Sequence, residues 1–365
     1  MSAFAVVAGG GTAGHVLPAL AVAEALVARG HDPQAIHYTG ARRGIETRLL
    51  PDTPFPHTFF DVVGFQRRLD RRNVSFLPKL LRARRLAIDL FRQIRPKVVV
   101  SVGGYASMPA VLAARRLAIP IVVVSFDRTP GRASAFTARR AAACAVAFPD
   151  SPLPRATVTG APVRQAVLDV DRDRDRHVAR AALGLPPDRF VVAVMGGSQG
   201  SGVLNEAVAR LLDRFAADGG LAIRHAVGER FLADAAPARD GGDGVLYQPI
   251  GYESDMPLVY AAADLLVGRG GASTVHEVAV TGIPAVLVPW AGAAEDHQTD
   301  NVRWLADDGA AVLVTESEVA SLPDVVARLR ADPAERERLS ANARLLGAVN
   351  RRGTLAQLVE SVAVA

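Results

Sequence analysis

The sequence predicts an α/β fold of two doubly wound, Rossmann-like domains facing across a cleft. Short apolar runs are each followed by a glycine turn and a helical segment, and this unit recurs along the chain. The pattern starts afresh near Arg164, and 365 residues suffice for two ordinary domains.

The run AFAVVA over 3–8 reads as the first strand, residues 9–14 as its glycine turn, and 12–29 as an amphipathic helix. AIHYTG follows, then KVVVSVGG with a helix over 110–117, then IPIVVVSF. After VTGAPVRQAV comes a charge-alternating stretch over 169–177. RFVVAVMGGSQGSG then repeats strand, glycine loop and helix. LAIRHAVG, GVLYQPIG, DLLVGRGGAST and PAVLVPWAG supply further strands, and the chain from 333 onward reads as helices. The expected divisions are 1–163, 164–342, and a C-terminal helix over 343–365 that returns to the first domain. Ligands of such sheets bind beyond the carboxyl ends of the strands, which points to the cleft.

Composition narrows the class. Half of the residues are hydrophobic (50%) and 22% are charged, the balance of a globular chain with ample core. Cys144 is the single cysteine, so no disulfide framework and no multi-cysteine metal site is expected, which fits a reducing compartment. The N-terminus has no cationic leader and reaches glycine within ten residues, unlike a signal peptide. The longest apolar stretch, 98–114, is interrupted by Gly103, Gly104 and Pro109, so no membrane span is expected.

The first loop, Gly9-Gly10-Gly11-Thr12-Ala13-Gly14-His15, contains G-x-G-x-x-G. A dinucleotide site would place an acidic residue about 20 positions on, at the end of the second strand. That strand instead ends Tyr38-Thr39-Gly40-Ala41-Arg42-Arg43, which leaves only a 2′-phosphorylated cofactor open. His15 stands at a helix start, where the dipole disfavours imidazolium. A neutral ring there can take a proton from a hydroxyl, or simply bond a neighbouring backbone group.

The second loop, Gly196-Gly197-Ser198-Gln199-Gly200-Ser201-Gly202, places backbone N–H groups at a helix start, suited to a diphosphate or to a bare tight turn. The third, Arg269-Gly270-Gly271-Ala272-Ser273-Thr274, opens another helix. Glu277, one turn in, can cap that helix or accept two ribose hydroxyls. The run PWAGAAEDHQTDN ends a strand. Its adjacent Asp296, His297, Gln298 and Thr299 would splay rather than converge on a metal, so they read better as groups for sugar hydroxyls. Asp173-Arg174-Asp175 mimics a D-x-D metal motif but lies in the solvated charge run. No metal and no cofactor are expected.

Residues 65–97 carry Arg67, Arg68, Arg71, Arg72, Lys79, Arg82, Arg84, Arg85, Arg92, Arg95 and Lys97 against Asp70 and Asp89. Phe65, Leu69, Phe76, Leu77, Leu80, Leu81, Leu86 and Phe91 are interleaved. Such a face suits an anionic membrane at ~1 kcal/mol per basic residue, or is a solvated helix face with a core side. Stacking aromatics are few, which argues against nucleic acid.

Taken in order, GGGTAGHVLPALAVAEAL, RRGIETRLLP (42–51), VGGYASMPA (102–110), GAPVR (160–164), GGSQGSGVLN (196–205), RGGASTVHEVAVTGIPAVLVP (269–289) and EDHQTDN (295–301) resemble the bacterial MurG family almost end to end. The resemblance implies the two-domain GT-B glycosyltransferase fold. It further implies transfer of N-acetylglucosamine (GlcNAc) from UDP-GlcNAc to the undecaprenyl-linked acceptor lipid I, giving lipid II for peptidoglycan. In that light 1–163 is the acceptor and membrane domain and 164–342 the UDP-GlcNAc domain. His15 becomes the base or a support for the diphosphate. Thr12, Ala13, Gly14, Arg164, Ser198 and Gln199 fall at donor contacts. So does the stretch Ala272, Ser273, Thr274, Val275, His276 and Glu277, with Glu277 as the ribose carboxylate. Gln298 and Thr299 read the GlcNAc hydroxyls, and the backbone near Glu253 faces uracil. Residues 65–97 fall on the family's membrane-facing patch, which implies a peripheral protein at the cytoplasmic face of the cell membrane.

One block departs from the family. Where it usually has His-Glu-Gln-Asn, this chain has Val124-Ser125-Phe126-Asp127. A later asparagine is Ser134, and that of the G-N-P-V-R block is Ala161. Asp127 can accept the hydrogen bonds of an asparagine but cannot donate, and it brings negative charge to the site. Three other readings use part of the pattern: a GT-B transferase with another lipid or natural-product acceptor, a UDP-sugar 2-epimerase, and an NADP oxidoreductase that leaves the second-half loops unused.

Overall fold

The computed structural model describes residues 2–63, 76–293 and 296–364. The expectations on Phe65, Arg67, Arg68, Leu69, Asp70, Arg71, Arg72 and Glu295 lie outside the described residues. The chain forms two compact units, Met1–Gln165 with Arg352–Ala365, and Ala166–Arg351.

The first unit holds a seven-stranded sheet. In chain order the strands are β1 (Ala5–Ala8), β2 (Ile36–Ala41), β3 (His57–Phe60), β4 (Val98–Ser101), β5 (Ile121–Ser125), β6 (Ala143–Val146) and β7 (Ala156–Val158). Their order in space is β3-β2-β1-β4-β5-β6-β7, and every pairing is parallel. The central strands are unbroken apolar runs, from Val98 to Val100 and from Val122 to Val124, as a sheet covered on both faces requires. Strand order reverses between β1 and β4, so the loops after these two strands open into one crevice.

Helix α1 (Ala13–Ala28) follows β1 and corrects the expectation of an amphipathic helix. Val16, Ala19, Leu20, Ala21, Val22, Ala23 and Leu26 are all buried. The reason is that the last helix, α14 (Thr354–Val364), returns to pack on α1 as well as on β4, β5 and β6. Helix α2 (Glu46–Leu49) is a single turn after β2. Helix α3 (Phe76–Ile94) packs Ala83, Ala87 and Phe91 against the small residues of α4 (Met108–Arg116). Its exposed side carries Leu77, Leu81 and Leu86 among Arg82, Arg85 and Arg92. Helices α5 (Arg132–Ala138) and α6 (Gln165–Leu168) follow.

The second unit repeats the plan. Helix α7 (Arg172–Ala182) takes up the charge-alternating stretch, with Asp171 capping its start by accepting from the amides of Asp173 and Arg174. The strands are β8 (Phe190–Met195), β9 (Leu221–Ala226), β10 (Arg239–Asp240), β11 (Leu246–Ile250), β12 (Leu265–Gly268), β13 (Ala285–Leu287) and β14 (Val312–Leu313). Their spatial order is β10-β11-β9-β8-β12-β13-β14, with only β10 antiparallel. Strand order reverses between β8 and β12, each of which feeds a helix: α8 (Gly202–Arg214) and α10 (Ala272–Thr281). Helices α9 (Met256–Ala262), α11 (His297–Ala306), α12 (Leu322–Ala331) and α13 (Pro333–Gly347) complete the unit.

Helix α13 braces α10 at Gly347, where a side chain would collide with the carbonyl of Ala279. Gly347→Ala should therefore lower stability by about 1–3 kcal/mol. A denaturant midpoint equal to that of the unaltered protein would show that the two helices can part without cost.

Candidate functional site

In the first unit the chain leaves β1, passes Gly9, Gly10 and Gly11, and enters α1 with Thr12 as the residue before the helix. Gly11 has φ +95°, and a side chain there would press on the Tyr105 ring. The site needs glycine on both counts. Ala13 and Gly14 form the first positions of α1, with His15 on the same turn. Thr12 does not cap the helix with its hydroxyl. Its Oγ1 lies 3.3 Å from His15 Nδ1 instead. When Nδ1–H donates to that oxygen, Nε2 keeps its lone pair free for a proton. The imidazole rests on the Gly103–Gly104 turn after β4, where added methyl groups would lie 3.4–3.7 Å from ring atoms.

A small polar cavity of about 50 Å³ opens beside this ring, lined by His15, Ser125, Asp127 and Ser134 among others. The structure thus brings His15 and Asp127 together. Burial lowers the His15 pKa from 6.5, and the negative charges of Asp127 and Glu46 partly oppose it. Within the departing block, Ser125 and Phe126 are buried while Asp127 is half-buried. Arg164 is held elsewhere, with its guanidinium 2.7 Å from the Glu24 carboxylate on α1.

In the second unit, Ser198 and Gln199 form the exposed tip of the loop after β8. Gly200, φ +69°, sits where any side chain would strike the Val227 carbonyl, so the loop is pinned to the end of β9. Ser201 caps α8 by accepting from the Leu204 amide. Helix α10 starts at Gly271 with no side-chain cap. Neither helix has an acidic residue in its first turn, which leaves two positive dipole ends at one strand-order reversal. Such an arrangement suits a diphosphate.

Ala272, Ser273 and Thr274 form the first turn of α10. Val275 and His276 turn into the core, at 0% and 1% exposure, with the His276 ring 4.9 Å from Trp304. Glu277 follows, and its Oε2 accepts a 2.6 Å bond from the Tyr260 hydroxyl. Burial and the Glu277 charge raise the Tyr260 pKa well above its ordinary value, so the phenol stays a donor. The Glu253 side chain is committed inward, accepting from Arg224 Nε at 2.7 Å and from the Asp255 amide. Gln298 Oε1 accepts from the Trp290 amide at 3.0 Å, and Thr299 donates to Asp296 at 2.6 Å. Among the described residues no group of three or more His, Cys, Asp or Glu side chains could hold a metal ion.

Three supporting residues escaped sequence reasoning. Glu46 stood in a charged block, and Tyr260 in an apolar run that reads as core. Arg269 was quoted only as the start of a loop. Its guanidinium donates to Ser201 Oγ at 2.6 Å and to the Val288 carbonyl, and it pairs with Glu316 at 2.7 Å. It thereby ties the start of α8 to the end of β13.

Residues 5–146 match the glycosyltransferase family 28 N-terminal domain, and residues 191–356 match the glycosyltransferase family 28 C-terminal domain. Fold and paired domains together define a GT-B glycosyltransferase. A relative from a Nocardioides sp. strain is 40% identical over 88% of both chains. One from Clavibacter sepedonicus is 38% identical over 96% of this chain and 94% of its own. Both are named UDP-N-acetylglucosamine–N-acetylmuramyl-(pentapeptide) pyrophosphoryl-undecaprenol N-acetylglucosamine transferase. The crystal structure of Acinetobacter baumannii MurG superposes with a TM-score of 0.69 at 28% identity, covering 100% of each chain. The chain belongs to this MurG family of N-acetylglucosamine transferases.

Arg269→Met should destabilise the second unit by about 3 kcal/mol, because it strands Glu316 in a largely enclosed position. It should also speed hydrogen exchange at the Ser201–Leu204 amides. Unaltered exchange there would mean the loop holds itself.

Proposed function

We infer that the protein transfers GlcNAc from UDP-GlcNAc to the C4 hydroxyl of the muramoyl sugar in lipid I, forming lipid II for peptidoglycan synthesis. The transfer inverts the anomeric centre and needs no metal. The observation that carries the reading is the pair of acid-free helix N-termini at the β8/β12 reversal, with Glu277 poised one turn into α10. The loop over 196–201, with Ser198 and Gln199 at its tip, and the first turn of α10 take the diphosphate. Glu277, steadied by Tyr260, accepts the ribose hydroxyls. The backbone beside Glu253 faces uracil, and Gln298 with Thr299 reads the sugar. Thr12, Ala13, Gly14 and Arg164 complete the donor contacts.

The first unit supplies the base. His15 Nε2 takes the proton of the attacking hydroxyl as that oxygen bonds to the anomeric carbon and the bond to UDP breaks. Charge that develops on the departing diphosphate meets backbone N–H groups and helix dipoles, the electrostatic work that a divalent cation does elsewhere. Asp127 borders the acceptor. The exposed side of α3, with its leucines set among arginines, rests on the anionic cytoplasmic leaflet, which makes the protein peripheral. No described helix is long and apolar enough to cross a membrane.

Release of UDP from UDP-GlcNAc, with and without a soluble lipid I analogue in EDTA, tests the reaction. Acceptor-dependent release with a β1→4 disaccharide product is the expected result. Binding without release would turn attention to other lipid acceptors, the second reading that Ser125, Phe126 and Asp127 favour. His15→Ala should lower turnover ~10²–10⁴-fold and leave UDP affinity nearly unchanged. The base works only when neutral, and burial lowers its pKa, so kcat/KM should hold below pH 6.5 and fall only at more acid pH. A fall already centred above 6.5 would count against this assignment. Leu77→Ser with Leu81→Ser should weaken sedimentation with anionic vesicles roughly tenfold. Equal sedimentation would remove α3 from the membrane face.

A further inference from the structure

The block 42–51 belongs to the family pattern but has no part in the reaction above, and it holds a fully buried carboxylate. Glu46, at 0% exposure, opens α2 directly beneath the first glycine loop. Both of its oxygens accept from the Gly11 amide, at 3.0 and 3.1 Å, and Oε1 also accepts from the Ala41 amide at 2.7 Å. Glycines make room for it. A Cβ on Gly10 or Gly44 would collide with the carboxylate, and one on Gly40 would come within 3.0 Å. Among the described residues no Lys or Arg side chain pairs with it. Burying a charge without a counter-charge is expensive, and backbone amides here supply the whole compensation. An apolar side chain would avoid the buried charge but orphan the Gly11 and Ala41 amides, so the carboxylate belongs to the loop it holds.

The neighbours indicate its role. Tyr38 on β2 donates its hydroxyl to the Gly9 carbonyl at 2.8 Å, so the loop is held at Gly9 from one side and at Gly11 from the other. The charges that His15 feels are Glu46 from α2 and Asp127 from the loop after β5. The phenols facing Glu46, Tyr38 and Tyr105, are both shifted upward by burial and by that carboxylate, so they stay neutral.

We propose that Glu46 is a positioning residue for the transfer, one that fastens the first glycine loop through the Gly11 amide and sets the electrostatic environment of His15. Its part rests on His15 acting as the base, and it touches no substrate. A carboxylate suits the place because both oxygens accept. A glutamine with its oxygen at the Oε1 position would still accept from both amides, but its N–H₂ would face the Gly11 amide in place of Oε2 and the negative charge would be gone. The negative charge favours imidazolium, which eases the transient protonation of His15 during transfer.

The test compares full-length Glu46→Gln and Gly44→Ala, each alone and with His15→Ala. Gly44→Ala displaces the carboxylate without removing its charge, and so serves if Glu46→Gln does not fold. UDP affinity, which the diphosphate, ribose and uracil contacts proposed for the second unit dominate, should stay within about threefold. Acceptor-dependent turnover should fall roughly 10–100-fold in either variant. In the His15→Ala background neither should cost more than about twofold further, because both act through the same ring. Glu46→Gln should also move the acid limb of kcat/KM to lower pH, since loss of a nearby negative charge makes imidazolium harder to form. Two results would overturn the proposal: the full loss persisting without His15, or an acid limb that stays in place. If His15→Ala alone keeps its turnover, the base assignment fails by itself. Glu46 is then judged by hydrogen exchange at Gly11, where Glu46→Gln should speed exchange and unaltered protection refutes the fastening.

Discussion

Everything in this protein follows from the reversal of strand order in each parallel sheet, between β1 and β4 and between β8 and β12. Right-handed crossovers carry successive helices to opposite faces on either side of such a point, so adjacent loops diverge and leave a crevice. Helix starts at such a point open onto the crevice, where a ligand can reach their backbone N–H groups. The glycine loops stand there for that reason. Gly11 must reach φ +95° beneath the Tyr105 ring, and Gly200 must lie flat against the Val227 carbonyl. The inner strands of the sheets need only be apolar and compact, as the buried runs of β1, β4 and β8 are.

The two crevices share a topology and differ in charge. Around the first, carboxylates converge: Glu46 below the loop and Asp127 across the cavity, with a half-buried histidine between them. Around the second, acidic side chains are missing from the first turns of both helices, and Glu277, further along α10, accepts a hydrogen bond from Tyr260. A proton-handling site benefits from nearby negative charge, which offsets the burial of the imidazole. A phosphate-handling site loses affinity for every carboxylate near a helix N-terminus. In the proposed reaction one architecture thus serves two kinds of chemistry through the placement of a few carboxylates.

The inner strands were legible because parallel sheets buried on both faces demand unbroken apolar runs, and those of β1, β4, β8 and β12 lead into glycine. Short or edge strands were not. The residues of β7 are exposed, while β10 and β14 have two residues each, too few to show a period. Helix α1 misled in another way. Its polar positions are sparse because α14 covers it, a contact between the two ends of the chain that no local pattern reveals. The loops that lead to His15, Ser198 and the helix of Glu277 were legible because glycine marks them. Glu46 and Tyr260 were not, since a buried carboxylate looks like a surface one in sequence, and a buried phenol looks like core. Both became visible only through what they touch.

The departure at 124–127 gains a physical meaning from the same geometry. The family pattern carries a glutamate where Ser125 stands and an asparagine where Asp127 stands, so this chain keeps one carboxylate in the block and moves it by two residues. Ser125 ends β5 and is buried, Asp127 is half-buried, and both line the cavity beside His15. The chain leaves β5 at Ser125 and bends at Asp127, so the charge stands in the loop beyond the strand end and on the same cavity. Asp127 brings negative charge to His15, and its side chain is half-buried. What the block surrenders is a hydrogen-bond donor, because neither Asp127 nor Phe126 can replace an asparagine or glutamine amide. In the proposed reaction the change bears on how an acceptor is gripped rather than on how its hydroxyl is deprotonated, and so separates the two halves of the task proposed for the first unit.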